Sequence, residues 1–386
     1  MAMDDRAGRH PDETFLRRCE AMHIQAAVTR EKGGVFHLET LRLAPPQPDE
    51  VLVRITAVGV CHTDLAMRDQ VFPVPQPIVL GHEGAGIIEQ VGEAVSGFTV
   101  GDKVVMSYRA CGACPSCAAH APSYCHEFFT LNFAGARADG SCSLSCDSGM
   151  VHSHFFGQSS FASHVVAHHS NVVKVAPDAD LSILAPFGCG IQTGAGAVIN
   201  ALKVGVGGSL AVFGTGSVGL SALMAAKLVG ATSIIAVDLH PARLALATTL
   251  GATHVVNAST ENPVEAIKQI TGAGVAYAID TTARMPVLSQ ALEALAPRGT
   301  LGIIGASRPE EVLCVPVIDI LTNGKHIRGI VEGDAEPSVF LPKLIKLHAQ
   351  GRFPAEKMIR CYDFAQINEA VHDSETGACV KAVLRL

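Results

Sequence analysis

The sequence is poor in charge, in long apolar runs and in repeats. Only 17% of its 386 residues are charged and 48% are hydrophobic, which predicts a large buried core in two domains and excludes global disorder. No run of 18 apolar residues is free of both glycine and charge, so we expect no membrane span. The absence of internal repeats and low-complexity tracts excludes a repeat architecture.

Positive charge is also scarce. The chain has 29 lysines and arginines against 36 acidic residues, a net charge of −7, so we expect neither nucleic acid nor an anionic membrane as a partner. The first twenty residues are polar and lack the apolar segment of a secretory signal, which makes the cytoplasm the expected location. We expect residues 1–21 to form a disordered extension.

Residues 209–238 predict a dinucleotide-binding unit. An apolar strand at 210–213 leads into a G-x-G-x-x-G motif, a helix follows to about residue 228, and a second strand at 234–237 ends on an acid. The glycines allow a tight turn, close approach of a pyrophosphate and close helix packing, and the helix N-terminus offers free N–H groups. The residues of this phosphate-binding turn are Gly214, Gly216, Ser217, Val218 and Gly219.

The acid that closes this unit is Asp238. Its carboxylate is expected to accept hydrogen bonds from the adenosine ribose and to repel a 2′-phosphate, which favours NAD over NADP. Arg243 follows closely enough to bind the same end of the cofactor and leaves NADP open.

The chain has twelve cysteines, and their clustering favours metal binding over disulfides. Four of them follow the spacing C-x2-C-x2-C-x7-C, which can close a tetrahedral zinc site in one loop: Cys111, Cys114, Cys117 and Cys125. An iron–sulfur site requires the fourth cysteine after three residues and then proline, and here it comes after seven. Unrelated free thiols are the remaining alternative.

A second candidate site is scattered along the chain. Cys61, His82 and Cys189 would supply two thiolates and an imidazole, which suits a catalytic zinc ion with one open position. Asp64 and Glu83 lie close in sequence to these ligands and would support them from outside the coordination shell.

These motifs together resemble the zinc-dependent medium-chain alcohol dehydrogenases, from about residue 22 to residue 386. The resemblance rests on the residues at 61–64, 81–83 and 188–190, on the four-cysteine loop and on the nucleotide motif, all in the family's order. Residues 187–194 and 132–140 are similar to the aryl (benzyl-type) members.

The resemblance implies an α/β plus β fold with three segments. A GroES-like β domain would carry both zinc ions and comprise residues 22–190 and 331–386. A Rossmann domain with a doubly wound parallel sheet would be inserted as residues 191–330 and bind NAD. The family forms homo-oligomers, dimers or tetramers, through edge strands of the Rossmann domain.

The resemblance also implies roles for individual residues. Cys61, His82 and Cys189 would bind the catalytic zinc, with Glu83 behind the metal and Asp64 orienting His82. Thr63 would take the proton of the alcohol. Ala66 stands where well-known members have a histidine, so the proton is expected to reach solvent directly.

Two further residues match positions that face the cofactor pyrophosphate, His62 and Lys381. A surface histidine is the alternative for His62, and a solvated strand end is the alternative for Lys381.

The expected reaction is the reversible oxidation of an aromatic or allylic primary alcohol to the aldehyde. Tyr108 and Ala306 fall near substrate-lining positions of the family and would provide an aromatic wall and a small residue by the nicotinamide. A thiol-adduct formaldehyde dehydrogenase is the main alternative and would require Arg109 or Arg137 to face the cleft. A short-chain alcohol dehydrogenase and a non-enzymatic NAD-binding protein are the others.

Overall fold

The computed structural model describes residues 21–386, so the predicted disordered extension lies outside the described residues except for Ala21. No single helix in the described part of the chain is long and apolar enough to cross a membrane. The helical segments Leu181–Gly188 and Gly190–Ala201 reach the length and apolar composition of a membrane span only when taken together, and the chain bends by 59° between them.

Two largely antiparallel sheets form the first part of the fold, as the alternating pattern predicts. Their strands are β1 (Met22–Thr29), β2 (His37–Leu43), β3 (Glu50–Gly59), β4 (Ile78–Val79), β5 (Glu83–Val91), β6 (Lys103–Met106), β7 (Leu144–Cys146), β8 (Gly149–Val151), β9 (His164–His168) and β10 (Val172–Lys174). One sheet has the order β4-β1-β2-β7-β8, and the other contains β10-β6-β5-β3 with β9 also paired to β3.

A parallel sheet of six strands follows. Its strands are β11 (Ser209–Phe213), β12 (Ser233–Asp238), β13 (His254–Asn257), β14 (Val275–Asp280), β15 (Leu295–Ile303) and β16 (His326–Gly329), in the order β13-β12-β11-β14-β15-β16. The predicted doubly wound sheet is therefore confirmed. After β11 the chain adds β12 and β13 on one side of that strand and then β14, β15 and β16 on its other side. Ligands bind at such a switch point, beyond the carboxyl ends of the strands.

The chain ends by returning to the first part of the fold. Strands β17 (Ile359–Asp363) and β18 (Lys381–Arg385) pair in parallel, and β18 pairs antiparallel with β3. This places the last strand between β3 and β17 in the second antiparallel sheet. The start of β18 therefore lies near the start of β5, which matters for the site described below.

The helices cover the parallel sheet and connect the strands. The α-helices among the described residues are α1 (His62–Arg68), α2 (Pro115–Ala118), α3 (Phe128–Phe133), α4 (Leu181–Leu184), α5 (Gly190–Gly196), α6 (Ser217–Leu228), α7 (Pro241–Leu250), α8 (Pro263–Thr271), α9 (Met285–Glu293), α10 (Val317–Asn323), α11 (Pro337–Ala349) and α12 (Ile367–Thr376). Helix α5 continues into a wider turn at Ala197–Ala201, and both pack against α6 inside the core.

Candidate active site

The scattered residues of the second candidate site meet in one buried cluster. Cys61 precedes α1, His82 and Glu83 lie at the start of β5, and Cys189 precedes α5. One ligand atom from each of the four lies within 4.8 Å of the others. The Nε2 atom of His82 is buried and has no hydrogen-bond partner among the described residues. A metal ion would satisfy this atom, and two thiols with one imidazole suit zinc.

Asp64 connects two of these residues through the first turn of α1. Its Oδ1 accepts a hydrogen bond from the Gly81 backbone N–H at 3.0 Å and lies 2.8 Å from His82 Nδ1, while its Oδ2 accepts from the Cys61 backbone N–H at 3.0 Å. A carboxylate on Nδ1 fixes the ring so that Nε2 points into the cluster. The geometry therefore places Asp64 as the orienting group for both Cys61 and His82.

Lys381 is buried, in contrast to one of the two alternatives given for it. The alternative of a solvated strand end is wrong, because the side chain is only 2% exposed and its ammonium lies 2.7 and 2.9 Å from the two carboxylate oxygens of Glu83. Its third donor reaches the Val60 carbonyl at 3.0 Å. Lys381 lines the groove in which a cofactor would lie, but its ammonium is turned to Glu83 behind the cluster.

Burial raises the pKa of Glu83, and the neighbouring Lys381 ammonium opposes that shift. The hydrogen bond to Cys189, together with nearby His82 and Lys381, lowers the pKa of the Cys61 thiol despite its burial. A thiol with a lowered pKa is more readily available as the thiolate that a metal requires.

Glu332 is a residue of this neighbourhood that sequence reasoning missed. Its Oε1 accepts a hydrogen bond from Cys189 Sγ at 3.4 Å, and its Oε2 accepts from Gln192 Nε2 at 3.1 Å and from Thr193 Oγ1 at 3.3 Å. It lies 249 residues after Glu83 in a non-repetitive turn, so no local pattern signals it. Burial raises the pKa of its carboxyl group.

An aromatic wall surrounds His82. The ring of Phe156 stacks on the imidazole with centroids 4.5 Å apart and an angle of 28°, and Phe155 meets it edge-on at 5.4 Å. Phe133 and Phe128 pack against Phe156 at 5.2 and 6.4 Å. The cluster is thus bordered by aromatic surface on the side of His82.

Tyr108 and Ala306 do not provide the surface expected of them. Tyr108 is 3% exposed, packs against Phe128 and donates its hydroxyl to the Ala335 carbonyl, so it supports the aromatic wall from behind. Ala306 is exposed in the segment after β15 and does not line the dinucleotide groove.

The four-cysteine loop also forms a compact cluster. The sulfur atoms lie within 4.8 Å of one another, with Cys114 Sγ at 3.5 Å and Cys111 Sγ at 3.9 Å from Cys117 Sγ. Backbone N–H groups donate to these sulfurs, including that of Cys114 to Cys111 at 3.3 Å and that of His126 to Cys114 at 3.4 Å. Such bonds stabilise thiolates, and four sulfurs in this arrangement fit a closed zinc site.

The predicted cofactor residues border one open groove at the carboxyl ends of the parallel strands. The predicted positions on its walls are His62, Gly214, Gly216, Ser217, Val218, Asp238, Arg243 and Lys381. Gly219 lies beneath it in α6, where a Cβ would clash with the Gly214 carbonyl oxygen. The groove reaches Cys61, so a dinucleotide bound along it would end at the cluster.

The ribose end of the groove differs in detail from the expectation. Asp238 Oδ2 accepts hydrogen bonds from the Thr215 N–H and hydroxyl, both at 2.7 Å, and Oδ1 accepts from the N–H groups of Leu239 at 2.7 Å and His240 at 3.0 Å. Burial opposes ionisation of Asp238, but the bonds from Thr215 outweigh it and lower the pKa. Arg243 borders the same end of the groove.

The two arginines of the thiol-adduct alternative differ in their partners, since the buried Arg109 Nε has no hydrogen-bond partner among the described residues. Arg137 forms two hydrogen bonds to Glu50, at 2.8 and 2.9 Å, and both side chains are buried. Arg109 is partly buried, and burial lowers the pKa of its guanidinium. Neither residue lines the groove.

Comparison with known proteins agrees with this geometry. Residues 47–178 match the family model "Alcohol dehydrogenase GroES-like domain", and residues 217–349 match "Zinc-binding dehydrogenase". The geraniol dehydrogenase of Castellaniella defragrans is 48% identical over 362 residues, which are 93% of this chain and 97% of that protein.

Two further relatives cover nearly the whole chain. The crystal structure of benzyl alcohol dehydrogenase from Acinetobacter calcoaceticus is 48% identical, with a TM-score of 0.92 over 95% of this chain and 99% of that chain. The S-(hydroxymethyl)glutathione dehydrogenase of Komagataella pastoris is 34% identical over 379 residues, 95% of this chain and 98% of that protein. The GroES-like and Rossmann expectations are therefore confirmed, and the chain belongs to the zinc-dependent medium-chain alcohol dehydrogenases, enzymes that use zinc and a nicotinamide dinucleotide.

Proposed function

We propose that this enzyme oxidises aromatic or allylic primary alcohols to aldehydes, reversibly and with NAD. The observation that carries the proposal is the aromatic wall on His82, directly beside the candidate metal cluster. Two relatives are named for geraniol and benzyl alcohol, which share a carbinol carbon next to a π system.

In this proposal Cys61, His82 and Cys189 hold the catalytic zinc, and the four-cysteine loop holds a structural one. When bound, zinc would act as a Lewis acid that lowers the pKa of the alcohol, and the nicotinamide would supply the hydride acceptor. Asp64 keeps His82 oriented, and the pair of Glu83 and Lys381 lies behind the cluster.

Thr63 is the proposed acceptor of the alcohol proton. Thr63 is partly exposed, and its hydroxyl oxygen lies 3.7 Å from Cys61 Sγ, beside the cluster. The partly buried Ala66, one turn further along α1, offers no group that could carry the proton onward. The proton therefore passes from Thr63 to water.

The aromatic rings set the preference among alcohols. Phe156 is only 4% exposed, so in this proposal the ring or double bond next to the carbinol carbon packs toward the aromatic side of the cluster and contacts the remaining exposed edge of Phe156, which ethanol is too small to do. Aromatic pairs contribute about 0.5–1.5 kcal/mol beyond the burial of area, or roughly 2–10-fold in kcat/KM.

The test compares kcat/KM for benzyl alcohol, cinnamyl alcohol and ethanol in the native enzyme and in Phe156→Leu. The native enzyme should prefer the first two, and the variant should lose roughly 2–10-fold of that preference. Phe36→Leu is the matched control, since Phe36 packs against Phe161 as a buried aromatic pair outside the wall around His82. Equal kcat/KM values for all three alcohols in the native enzyme would contradict the proposal.

The thiol-adduct reaction is the competing activity, and one relative is named for it. It requires cations for the carboxylates of the adduct, and Arg137 is already bound to Glu50. An S-hydroxymethyl thiol adduct should therefore be a poorer substrate than cinnamyl alcohol at matched concentration, and the reverse order would favour this alternative.

NAD is the proposed cofactor because the ionised Asp238 borders the ribose end of the groove and would repel a 2′-phosphate. Its four accepted hydrogen bonds already occupy the usual acceptor directions of a carboxylate. We therefore expect exclusion of NADP to be its larger effect. Asp238→Asn should narrow the ratio of kcat/KM for NAD over that for NADP, mainly by improving NADP.

We also propose that the enzyme is a homo-oligomer in a reducing compartment such as the cytoplasm, where the cysteine ligands stay unoxidised. Strand β16 is exposed at a sheet edge, beside the exposed apolar residues Val317, Ile318 and Leu321 of α10. Exposed edges and apolar patches favour self-association. Leu321→Glu should lower the mass measured by sedimentation, whereas Val206→Glu, at an apolar residue that is 89% exposed elsewhere, should not.

A further inference from the structure

The carboxylate of Glu332 is buried beside the candidate metal cluster without a cationic partner. The residue is 9% exposed, and no lysine, arginine or histidine within residues 21–386 forms an ion pair with it. The buried ammonium of the cluster, that of Lys381, is already bound to both oxygens of Glu83. An ionised carboxylate in such a position is costly unless a cation lies close by.

The backbone that carries Glu332 is strained. Three successive residues adopt left-handed conformations, with φ of 50° at Glu332, 67° at Gly333 and 48° at Asp334. Left-handed non-glycine residues cost about 1–3 kcal/mol each and persist where the surroundings impose them. Here Tyr124 donates to Asp334 at 2.7 Å, and Tyr108 donates to the carbonyl that follows the turn.

The turn is also fixed against α5, the helix that follows Cys189. A Cβ at Gly196 would clash with the Gly333 backbone, and a Cβ at Gly333 would clash with the carbonyl oxygens of Gln192 and Thr193. Only glycine at both positions allows this contact. The side chain of Glu332 is therefore held toward Cys189 by backbone packing on one side and by Gln192 and Thr193 on the other.

We propose that Glu332 is an anionic positioning residue of the catalytic metal site. Its carboxylate is held by Gln192 and Thr193 and, through its contact with Cys189 Sγ, keeps that ligand in its binding orientation. The inference rests on the proposed function, because it requires an ion at the cluster. The Cys189 thiol donates to this carboxylate over 3.4 Å, and when Cys189 binds an ion as the thiolate, the positive charge of that ion would offset the repulsion between the two anionic groups.

The experiment compares Glu332→Gln with Asp334→Asn, which removes a carboxylate from the same turn that binds Arg328 and Tyr124 instead of the cluster. Metal-free protein is titrated with Zn²⁺ in competition with a chelator, and then with Co²⁺, whose visible thiolate bands report the coordination of Cys61 and Cys189. Glu332→Gln should weaken binding at the catalytic site roughly 10–100-fold and shift the Co²⁺ bands. The four-cysteine site should keep its affinity and serves as an internal reference, and Asp334→Asn should match the native enzyme.

Thermal stability with and without metal provides a second measurement. Metal-free Glu332→Gln should melt no lower than the metal-free native protein, because a buried carboxylate without a cationic partner has been replaced by a neutral group of the same shape that keeps one oxygen as an acceptor. The rise in Tm on adding Zn²⁺ should be smaller in the variant than in the native protein. A variant that melts lower in the metal-free form, with the same rise on adding Zn²⁺, would show a merely structural role and overturn the inference.

The remaining outcomes separate this inference from the proposed function. A native protein that binds one ion, at the four-cysteine loop alone, contradicts the proposed function. Two ions in the native protein with unchanged affinity and Co²⁺ bands in Glu332→Gln overturn the role of Glu332 alone, as would an equal loss in Asp334→Asn. If Glu332→Gln does not fold, Glu332→Asp keeps the charge but withdraws it by one methylene, and unchanged Co²⁺ bands there would overturn the contact with Cys189.

Discussion

Removing Arg137 from its buried pair with Glu50 should lower the stability of the fold and leave substrate binding unchanged. Arg137 donates to both oxygens of Glu50, and the two side chains are 6% and 3% exposed. In Arg137→Met the Glu50 carboxylate remains buried without its main counter-charge. Breaking a buried pair from one side costs about 3–5 kcal/mol.

The lowered pKa of Glu50 gives the free energy by which the folded protein stabilises the ionised carboxylate. Burial alone would raise its pKa, but hydrogen bonds from His154 and Arg137 outweigh burial and lower the pKa from 4.5 to about 2. At 1.36 kcal/mol for each pKa unit, this shift corresponds to about 3 kcal/mol in favour of the folded state. Arg137 contributes only part of this shift, beside the bonds from His154 and the Gln47 backbone.

The sign of the pH dependence follows from the lowered pKa. The stabilisation by ionised Glu50 is fully present above pH 4.5, the ordinary pKa of the group, and is lost as the pH falls toward 2. The native protein should therefore lose stability more steeply than Arg137→Met between these values. The difference between the two proteins should narrow as the pH falls.

Scanning calorimetry at pH 7 and at pH 3, which lies inside this window, is the assay. At about 2 °C for each kcal/mol, Arg137→Met should lower Tm by roughly 6–10 °C at pH 7. Arg42→Met is the control, because the pair of Arg42 and Asp147 is exposed and should matter little. Glu50→Gln/Arg137→Met should recover part of the loss, because no uncompensated charge remains.

Activity completes the test of Arg137. The KM for cinnamyl alcohol of the folded Arg137→Met protein should equal that of the native enzyme, since the guanidinium does not line the groove. A loss of Tm no greater than that in Arg42→Met would refute the energetic reasoning. A large rise in KM without loss of Tm would place Arg137 in the substrate cleft and refute the structural reading.

Three further predictions concern the metal sites. Asp64→Asn should weaken catalytic zinc binding or activity roughly 10–100-fold, because His82 loses its orienting carboxylate, and retention of full metal affinity would contradict this. Lys381→Met should lower Tm by leaving Glu83 buried without its counter-ion, and Lys381→Met/Glu83→Gln should recover part of the loss, as measured by calorimetry. Cys114→Ser should reduce the zinc content from two ions per chain to one and lower Tm, while the Co²⁺ bands of the remaining catalytic site stay unchanged.

The parts of the fold that could be predicted are those encoded by contiguous residues. The strand, glycine motif and helix of residues 209–228 follow one another directly, and each has its own local signal. The four cysteines of the loop lie within 15 residues, so their spacing alone indicates a cluster. In contrast, Cys61, His82 and Cys189 lie far apart in the sequence, so grouping them into one site depends on the chemistry of their side chains and on the family resemblance.

The interactions that could not be predicted depend on tertiary packing. The partner of Lys381 is Glu83, 298 residues earlier, and the two meet only because β18 lies beside β3. The aromatic wall was expected from Tyr108, whereas Phe155 and Phe156 form it from an irregular segment without a periodic pattern. Glu332 approaches Cys189 because a strained turn packs on α5, and the sequence shows no sign of that contact.

The pairing of β18 with β3 also bears on how the protein folds. Arg385 pairs with Ala57, and the entropic cost of closing a loop of roughly 320 residues is on the order of 5 kcal/mol. The parallel sheet lies within that loop. Once folded, it holds its first strand β11, which begins at residue 209, and its last strand β16, which ends at residue 329, three strand positions apart, a separation of roughly 15 Å between the two strands. Early folding of the dinucleotide-binding sheet therefore shortens the search by which Lys381 finds Glu83. A bound dinucleotide that stabilises this sheet would then speed the assembly of the metal cluster, whose residues are far apart in the sequence.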